Sequence, residues 1–182
     1  MGQRYSIVIC NYNHGPWVLS AVGSALTQTY PAAEYEVIVV DDGSTDDSRD
    51  RLAQLQSDRP PGQLPVLHVV HQARVGQAGA LHRGVQLAVG DFVCLLDSDD
   101  VFDLDKLRSI DSVLDAQPFL KFLIHNVRVL DQARGAVLDQ LLLPVPMGAG
   151  KTVVRLLEHP EAVHFPVPCG VVLRRDTALD LL

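Results

Sequence analysis

The most informative stretch of the sequence is Phe92-Val93-Cys94-Leu95-Leu96-Asp97-Ser98-Asp99-Asp100, because an apolar run ends there in three closely spaced carboxylates. A short apolar run bounded by polar turn residues predicts a buried β-strand. Crowded carboxylates raise each other's pKa values unless a cation offsets their charge. Mg²⁺ or Mn²⁺ suits such oxygen ligands, since these ions bind through one or two carboxylates plus substrate phosphates. The stretch therefore predicts a metal bridge to a phosphorylated ligand, with a solvated turn as the alternative.

Three similar units precede this strand along the chain. Strands are predicted over Tyr5 to Cys10, Tyr35 to Val40, Val66 to His71 and Asp91 to Leu96. A segment of helical period follows each strand; Pro16 suits the first turn of the first helix, and Asp103 is predicted to cap the fourth. Four such units in a row imply parallel strands with helices on both faces of the sheet. Ligands bind these sheets beyond the carboxyl ends of the strands, where Asp41, Asp42 and Asp97 would converge.

The pattern changes after Pro118. Longer strands are predicted over 119–130 and 136–143, joined as a hairpin through Ala133-Arg134-Gly135. The sequence thus predicts an α/β fold whose mostly parallel sheet is flanked by helices and whose C-terminal part is mixed or antiparallel. One domain is expected across residues 1–182, with a first half over 1–116 and a second half over 117–182.

The composition is that of an ordinary globular protein. The 182 residues are 47% hydrophobic and 20% charged, enough to bury a core. The net charge of −7 argues against a nucleic-acid-binding surface. Three cysteines at unrelated spacings predict reduced thiols in an intracellular protein. Because we find neither a signal peptide nor an apolar run of about 18 residues, we expect a soluble, cytoplasmic protein.

A rival interpretation starts from the same acidic cluster. Asp97-Ser98-Asp99-Asp100-Val101 also matches the nucleophile motif of the haloacid-dehalogenase-type phosphatases, in which the first Asp attacks phosphorus. Those enzymes need a later lysine and a later acidic metal pair, and their motif opens the domain. Here three strand–helix units come first, and no acidic pair follows a later predicted strand. A phosphate-binding loop is also disfavoured, because 147–152 has the Gly-Lys-Thr ending without the first glycine.

Four segments taken together resemble one family. They are residues 6–13 (SIVICNYN), 39–48 (VVDDGSTDDS), 76–84 (GQAGALHRG) and 88–100 (AVGDFVCLLDSDD). Their order and spacing are similar to those of the nucleotide-diphospho-sugar glycosyltransferases of family 2, which have the GT-A fold. The resemblance covers about residues 4–115. It implies that 1–116 binds the nucleotide sugar and that 117–182 forms an incomplete acceptor-side half.

The resemblance implies a role for each polar cluster. The loop with Tyr12 would flank or stack on the nucleobase, usually uracil, and Asp42 would accept a hydrogen bond from the base ring. Asp99 would lie near the ribose, and Asp100 would hold Mg²⁺ or Mn²⁺ on the diphosphate. The implied nucleotide-sugar-binding residues are Asn11, Tyr12, Asp41, Asp42, Asp97 and Asp99. The implied metal ligands are Asp99 and Asp100.

The chain departs from the family pattern on the donor side. Where many relatives have Ala-Arg-Asn before a glycine, this chain has Ala80-Leu81-His82 before Arg83. His82 or Arg83 would therefore have to supply any basic contact there. Arg74 stands where relatives often have Asn, and the sequence assigns it no role.

A further departure concerns the general base. Inverting members use a carboxylate from a Glu-Asp or Gly-Asp motif to deprotonate the acceptor hydroxyl. The carboxylates of the last third stand in no such motif; they are Asp131, Asp139, Glu158, Glu161, Asp176 and Asp180. The sequence ends at Leu182 inside an apparent helix, which predicts a truncated domain whose base lies beyond Leu182.

The resemblance thus implies an inverting, metal-dependent glycosyltransferase that uses a nucleoside-diphosphate sugar, with UDP as the expected nucleotide. The acceptor is left open as a saccharide, a lipid or a protein, and peripheral membrane association is compatible with the sequence. Nucleic acid is not an expected partner. The competing interpretation is a non-catalytic nucleotide-sugar-binding module that lacks the base.

Overall fold

A computed structural model describes residues 3–125, 128–131, 136–141 and 168–181. The strands are β1 (Tyr5–Asn11), β2 (Tyr35–Asp42), β3 (Val66–Gln72), β4 (Phe92–Asp97), β5 (Phe122–Ile124), β6 (Arg128–Asp131), β7 (Ala136–Leu141) and β8 (Val171–Arg174). The helices are α1 (Gly15–Leu26), α2 (Ser48–Ser57), α3 (Gln77–Leu87), α4 (Lys106–Ala116) and α5 (Arg175–Leu181). Short 3₁₀ turns cover Ala32–Glu34 and Pro168–Gly170.

Six strands form one sheet in the order β3-β2-β1-β4-β8-β5. Strands β3, β2, β1 and β4 are parallel, whereas β8 runs antiparallel to both β4 and β5. Strands β6 and β7 form a separate antiparallel pair. The predicted α/β fold, with a mostly parallel sheet and a mixed C-terminal part, is therefore confirmed.

Apolar layers cover both faces of the sheet. On one face Ile7 of β1 packs in a cluster with Val18 of α1, and on the other Val8 packs in a cluster with Val85 of α3. This burial on both faces explains why the parallel strands read as continuous apolar runs. Helix α3 lies especially close to the sheet, because a Cβ atom at Gly84 would come within 2.3 Å of Val8 Cγ1.

The fourth helix begins later than the sequence predicts. It starts at Lys106, and Asp103 does not cap it. The backbone before it is held by α1 and the turn that follows α1: the Phe102 amide donates to Ser24 Oγ, and the Leu104 carbonyl accepts from the Thr29 amide. These tertiary hydrogen bonds hold the backbone at residues 102 and 104, just before the helix begins.

The prediction of a single long strand over 119–130 is wrong. Strand β5 ends at Ile124, and the chain resumes as β6 at Arg128 in a different sheet. Strands β6 and β7 pair as the predicted hairpin, although its turn lies outside the described residues. The three cysteines are free thiols, as expected. Among the described residues, no helix combines the length and apolar character needed to cross a membrane.

Candidate functional site

The polar loops meet at one edge of the sheet because the strands that carry them are parallel and in register. Asn11 at the end of β1 pairs with Asp41 at the end of β2, and Cys10 pairs with Asp97 at the end of β4. We call this the carboxyl edge. The predicted convergence of the clusters after β1, β2 and β4 is therefore present in the structure.

The loops after β1 and β2 are locked together by side-chain hydrogen bonds. The Asn11 amide donates to Asp41 Oδ1 (2.9 Å) and to Ser44 Oγ (3.1 Å). Asn13, whose φ is 54°, accepts from the Thr45 amide at 2.7 Å through its side-chain oxygen. Asparagine tolerates this left-handed backbone better than most residues. The two loops thus form one preorganised wall of the carboxyl edge.

Asp41 is fully buried, and both of its carboxylate oxygens accept hydrogen bonds. Its Oδ2 accepts from Arg49 Nε at 2.9 Å and lies 3.3 Å from His71 Nδ1, in addition to the Asn11 bond. Burial alone would raise the pKa of Asp41, but the hydrogen bonds from Ser44, Arg49, Asn11 and His71 outweigh it and hold the pKa below its usual range. Asp41 is therefore an ionised, internally neutralised group.

Asp42 is also buried, and it organises the loop after β3. Its Oδ1 accepts from Gln72 Nε2 (2.8 Å) and the Val75 amide (2.9 Å), while its Oδ2 accepts from the Gly76 amide (2.7 Å). These bonds outweigh the effect of burial and lower its pKa. A carboxylate has about four acceptor positions. The described contacts use three of them and leave one on Oδ2 for a ligand donor.

The loop after β4, residues 97–100, which we call the acidic loop, has a different balance. Burial, followed by the neighbouring Asp100 and Asp99 charges, raises the pKa of Asp97 to about 6. A hydrogen bond from Gln77 Nε2 to Asp97 Oδ1 (2.9 Å) offsets this rise in pKa only in part. Asp99 is half-exposed, with 54% of its side chain accessible. The acidic loop therefore holds negative charge that the protein does not fully compensate.

His14 ties the acidic loop to the wall formed by the loops after β1 and β2. Its Nδ1 lies 2.9 Å from Ser98 Oγ and 4.0 Å from Asp99 Oδ1. Ser98 is buried, so this contact fixes the middle of the acidic loop. The roles of His14 and Gln77 could not be predicted from the sequence, because their contacts depend on the packing of separate loops.

The donor set of the acidic loop fits Mg²⁺ or Mn²⁺ bound together with a substrate. Among the described residues, no three His, Cys, Asp or Glu side chains converge into a complete metal cage. Asp99 and Asp100 instead offer one or two carboxylates, and Mg²⁺ normally completes such a set with phosphate oxygens and water. These two residues would hold the ion, as the resemblance implied.

Arg74 is a site residue that sequence reasoning left unassigned. Its guanidinium lies over the Tyr12 ring, 3.6 Å from the ring centroid. Gly43, with φ of +75°, makes room for it: a Cβ there would come within 2.8 Å of the Arg74 backbone nitrogen. The available signal was position, since Arg74 follows β3, whose carboxyl end lies at the same edge as Asp42. A planar cation facing a tyrosine ring makes a stacking pair beside the acidic loop.

The described contacts give no role at the carboxyl edge to the remaining candidates, which are residues 81–83 and the C-terminal carboxylates. Leu81 is buried in the core, His82 Nε2 contacts Gln86 Nε2 one helical turn away, and Arg83 is exposed on α3. Of the C-terminal carboxylates, Glu158 and Glu161 lie outside the described residues. Asp176 follows β8, which is antiparallel to β4, and therefore lies at the opposite edge of the sheet.

Comparison with known sequences gives one family. The family model described as Glycosyl transferase family 2 matches residues 6–178. The amylovoran biosynthesis glycosyltransferase AmsB of Erwinia amylovora is 30% identical over 181 residues, which cover 97% of this chain and 57% of AmsB. The chain spans about half the length of the curated relatives it matches.

Two solved structures share the fold. The structure of S. aureus TarS 1-349 in complex with UDP matches with a TM-score of 0.72 at 20% identity, covering 98% of this chain and 48% of TarS. The mannosyltransferase PcManGT from Pyrobaculum calidifontis, in complex with GDP-Man and Mn²⁺, matches with a TM-score of 0.63 at 25% identity. That match covers 72% of this chain and 37% of the mannosyltransferase.

Proposed function

Because the chain belongs to glycosyl transferase family 2, we propose that it acts as an inverting, metal-dependent glycosyltransferase domain whose donor is a UDP-linked sugar. One observation carries the proposal: the Tyr12–Arg74 pair and the acidic loop lie at the same edge of one sheet. A nucleoside diphosphate has a planar base at one end and a charged diphosphate at the other. The two features of the carboxyl edge match those two ends.

The base end of the site favours a ring that presents an N–H group. Asp42 Oδ2 keeps one acceptor position, and Asn11 Oδ1 is buried without a hydrogen-bond partner among the described residues. An unpaired buried acceptor is costly, so a ligand donor there would be stabilising. The uracil ring carries such an N–H between two carbonyl groups. TarS, which shares the fold, has been solved with UDP.

The diphosphate end is the acidic loop. A divalent cation on Asp99 and Asp100 would supply Lewis-acid stabilisation of the charge that grows on the departing nucleoside diphosphate. His14 and Gln77 hold the loop in place from both sides through Ser98 and Asp97. The mannosyltransferase PcManGT, a neighbour in structure, was solved with a nucleotide sugar and Mn²⁺.

An inverting transfer also needs a base on the acceptor side. That base must reach the acceptor hydroxyl on the face of the sugar opposite the leaving group. Asp176 lies at the edge opposite the acidic loop and is a poor candidate. We therefore infer that a carboxylate other than Asp176 serves as the base.

Calorimetric titration of UDP, with and without Mn²⁺, tests the proposal. We expect UDP binding that depends on Mn²⁺, that exceeds GDP binding, and that is lost in Asp100→Ala because the ion then has one ligand fewer. Asp91→Ala is the matched control: it removes the same charge from the residue that precedes the same strand, at the opposite edge.

Two results would contradict the proposal. If the folded chain bound neither UDP nor another nucleoside diphosphate, the carboxyl edge would not be a donor site. If Asp91→Ala weakened binding as much as Asp100→Ala, the effect would come from net charge and not from the acidic loop. Release of inorganic phosphate from a simple phosphate ester would instead favour the phosphatase interpretation.

A further inference from the structure

Lys106 is a buried cation directly behind the acidic loop. It is the first residue of α4, and only 9% of it is exposed. Its ammonium group donates to the Cys169 carbonyl at 2.6 Å and contacts His125 Nε2. It also lies 4.0 Å from the centroid of the Phe102 ring. These contacts from three parts of the fold hold the ammonium in one place.

The partners of Lys106 satisfy its hydrogen-bonding groups without cancelling its charge. Within the part of the chain that the structure describes, the ion pairs are made by arginines and histidines, and none involves Lys106. Burial lowers the pKa of Lys106 to about 8, against the opposing effect of Cys94, Cys169 and Asp100. The group therefore remains mostly protonated at neutral pH, with Asp100 close enough to act on it.

A buried charge acts over a longer range than an exposed one, because less water screens it. Cys169 connects Lys106 to the acidic loop, since its carbonyl accepts from the ammonium and its thiol faces Asp100. A cation held by Asp99 and Asp100 would therefore bind close to a fixed positive charge. The charge of Lys106 would weaken binding of that cation, whereas the negative charge of a donor diphosphate would strengthen it.

We propose that Lys106 is a fixed counter-charge that keeps the acidic loop's own affinity for its divalent cation low, so that the cation binds and leaves together with the nucleoside diphosphate. This inference rests on the proposed function, because it requires the acidic loop to hold a cation. It gives Lys106 a tuning role: the residue touches neither donor nor metal and acts through the field at Asp100.

Mn²⁺ binding to the full chain, measured by electron paramagnetic resonance with and without UDP, tests the inference. In Lys106→Met, which keeps the length of the side chain, we expect Mn²⁺ alone to bind about tenfold more tightly, as removal of a nearby buried charge implies. Lys106→Gln, which keeps an N–H donor, should also tighten Mn²⁺ binding. Lys121→Met, at an exposed lysine before β5 on the opposite edge, should leave it unchanged.

The controls separate this inference from the proposed function. If the unaltered chain bound neither Mn²⁺ nor UDP, the proposed function itself would fail. If it bound both, unchanged or weaker Mn²⁺ binding in the folded neutral variants would overturn the tuning role alone. Loss of the folded state in both neutral variants, seen by thermal unfolding, would also overturn it and make Lys106 a structural residue. Lys106→Arg keeps the charge, so tighter binding in that variant would count against the inference.

Discussion

Two groups of carboxylates stand at the same edge of the sheet, and the protein treats them in opposite ways. Asp41 and Asp42 at the end of β2 are buried among donors that hold their pKa values below the usual range. Asp97 in the acidic loop is only partly buried, yet its pKa is raised to about 6 by burial and by its acidic neighbours. Sequence alone makes these clusters look alike, since both are Asp runs at the ends of apolar strands.

The difference shows which cluster the chain itself neutralises and which cluster it does not. The carboxylates at the end of β2 are neutralised by the chain itself, so their hydrogen bonds fix the geometry of the loops around them without a ligand. The carboxylates after β4 lack such compensation, and a cation would supply it. Under the proposed function, such a site would combine a preorganised wall for the base with a loop whose charge a bound cation would neutralise.

The largest effect should come from breaking the neutralised cluster. We expect Asp41→Ala to lower the free energy of unfolding by about 3 kcal/mol, because it leaves the buried Asn11 amide and the Arg49 guanidinium without their acceptor. Denaturant unfolding followed by circular dichroism measures this. Asp58→Ala, at an exposed residue that accepts from Gln54, should change it by less than about 0.5 kcal/mol. Equal losses in both variants would contradict the prediction.

Removing a carboxylate from the acidic loop should raise the free energy of unfolding, whereas removing Asp41 lowers it. The folded pKa of Asp97, about 6, exceeds the ordinary value of 3.8, so the folded state binds more protons between these values. The contribution of Asp97 to stability is therefore present below about pH 4 and is lost as the pH rises through 6. In the metal-free protein we expect Asp97→Asn to raise the free energy of unfolding at pH 7 by about 1 kcal/mol, a figure discounted for its partial exposure.

Urea unfolding of Asp97→Asn at pH 4 and pH 7, in the presence of a chelator, checks this prediction. The gain should be present at pH 7 and should vanish at pH 4, where Asp97 is already protonated in the folded state. A gain of the same size at both pH values would show that the substitution acts by packing. A loss at pH 7 would place Asp97 with the neutralised carboxylates, and the contrast between the two clusters would disappear.

Most of the fold could be predicted from the sequence because it depends on local patterns. The apolar runs of β1, β2, β3 and β4 have turn residues after them, and their alternation with helical segments dictates parallel pairing. Prediction failed where tertiary contacts override local pattern. Helix α4 begins later than the predicted cap at Asp103, because the Ser24 hydroxyl and the Thr29 amide bind the backbone of the loop before it. The apolar stretch from 119 to 130 is divided between two sheets, which its composition does not reveal.

The candidate site could be predicted only at the level of which loops take part. The ends of β1, β2 and β4 were recognisable because Asn and Asp follow apolar strands. The opposite pKa shifts of Asp42 and Asp97 were not. The pKa of Asp42 depends on hydrogen bonds from the amides of Val75 and Gly76, and that of Asp97 depends on its burial and on its acidic neighbours. The contact between Arg74 and Tyr12 could not be predicted either, since Tyr12 follows a strand two positions away in the sheet.

The smallest effect should come from Arg74, which belongs to neither carboxylate cluster. We expect Arg74→Ala to weaken UDP binding about fivefold, because a guanidinium over an aromatic face contributes about 1 kcal/mol at an exposed site. Arg74→Lys should recover only part of the loss, since an ammonium keeps the charge without the planar face. The free energy of unfolding should fall by no more than about 1 kcal/mol in either variant, because the exposed side chain of Arg74 contacts the Tyr12 ring but is not part of the core. Tighter UDP binding in Arg74→Ala would show that the guanidinium competes with the base for the face of Tyr12 and does not help to hold the base.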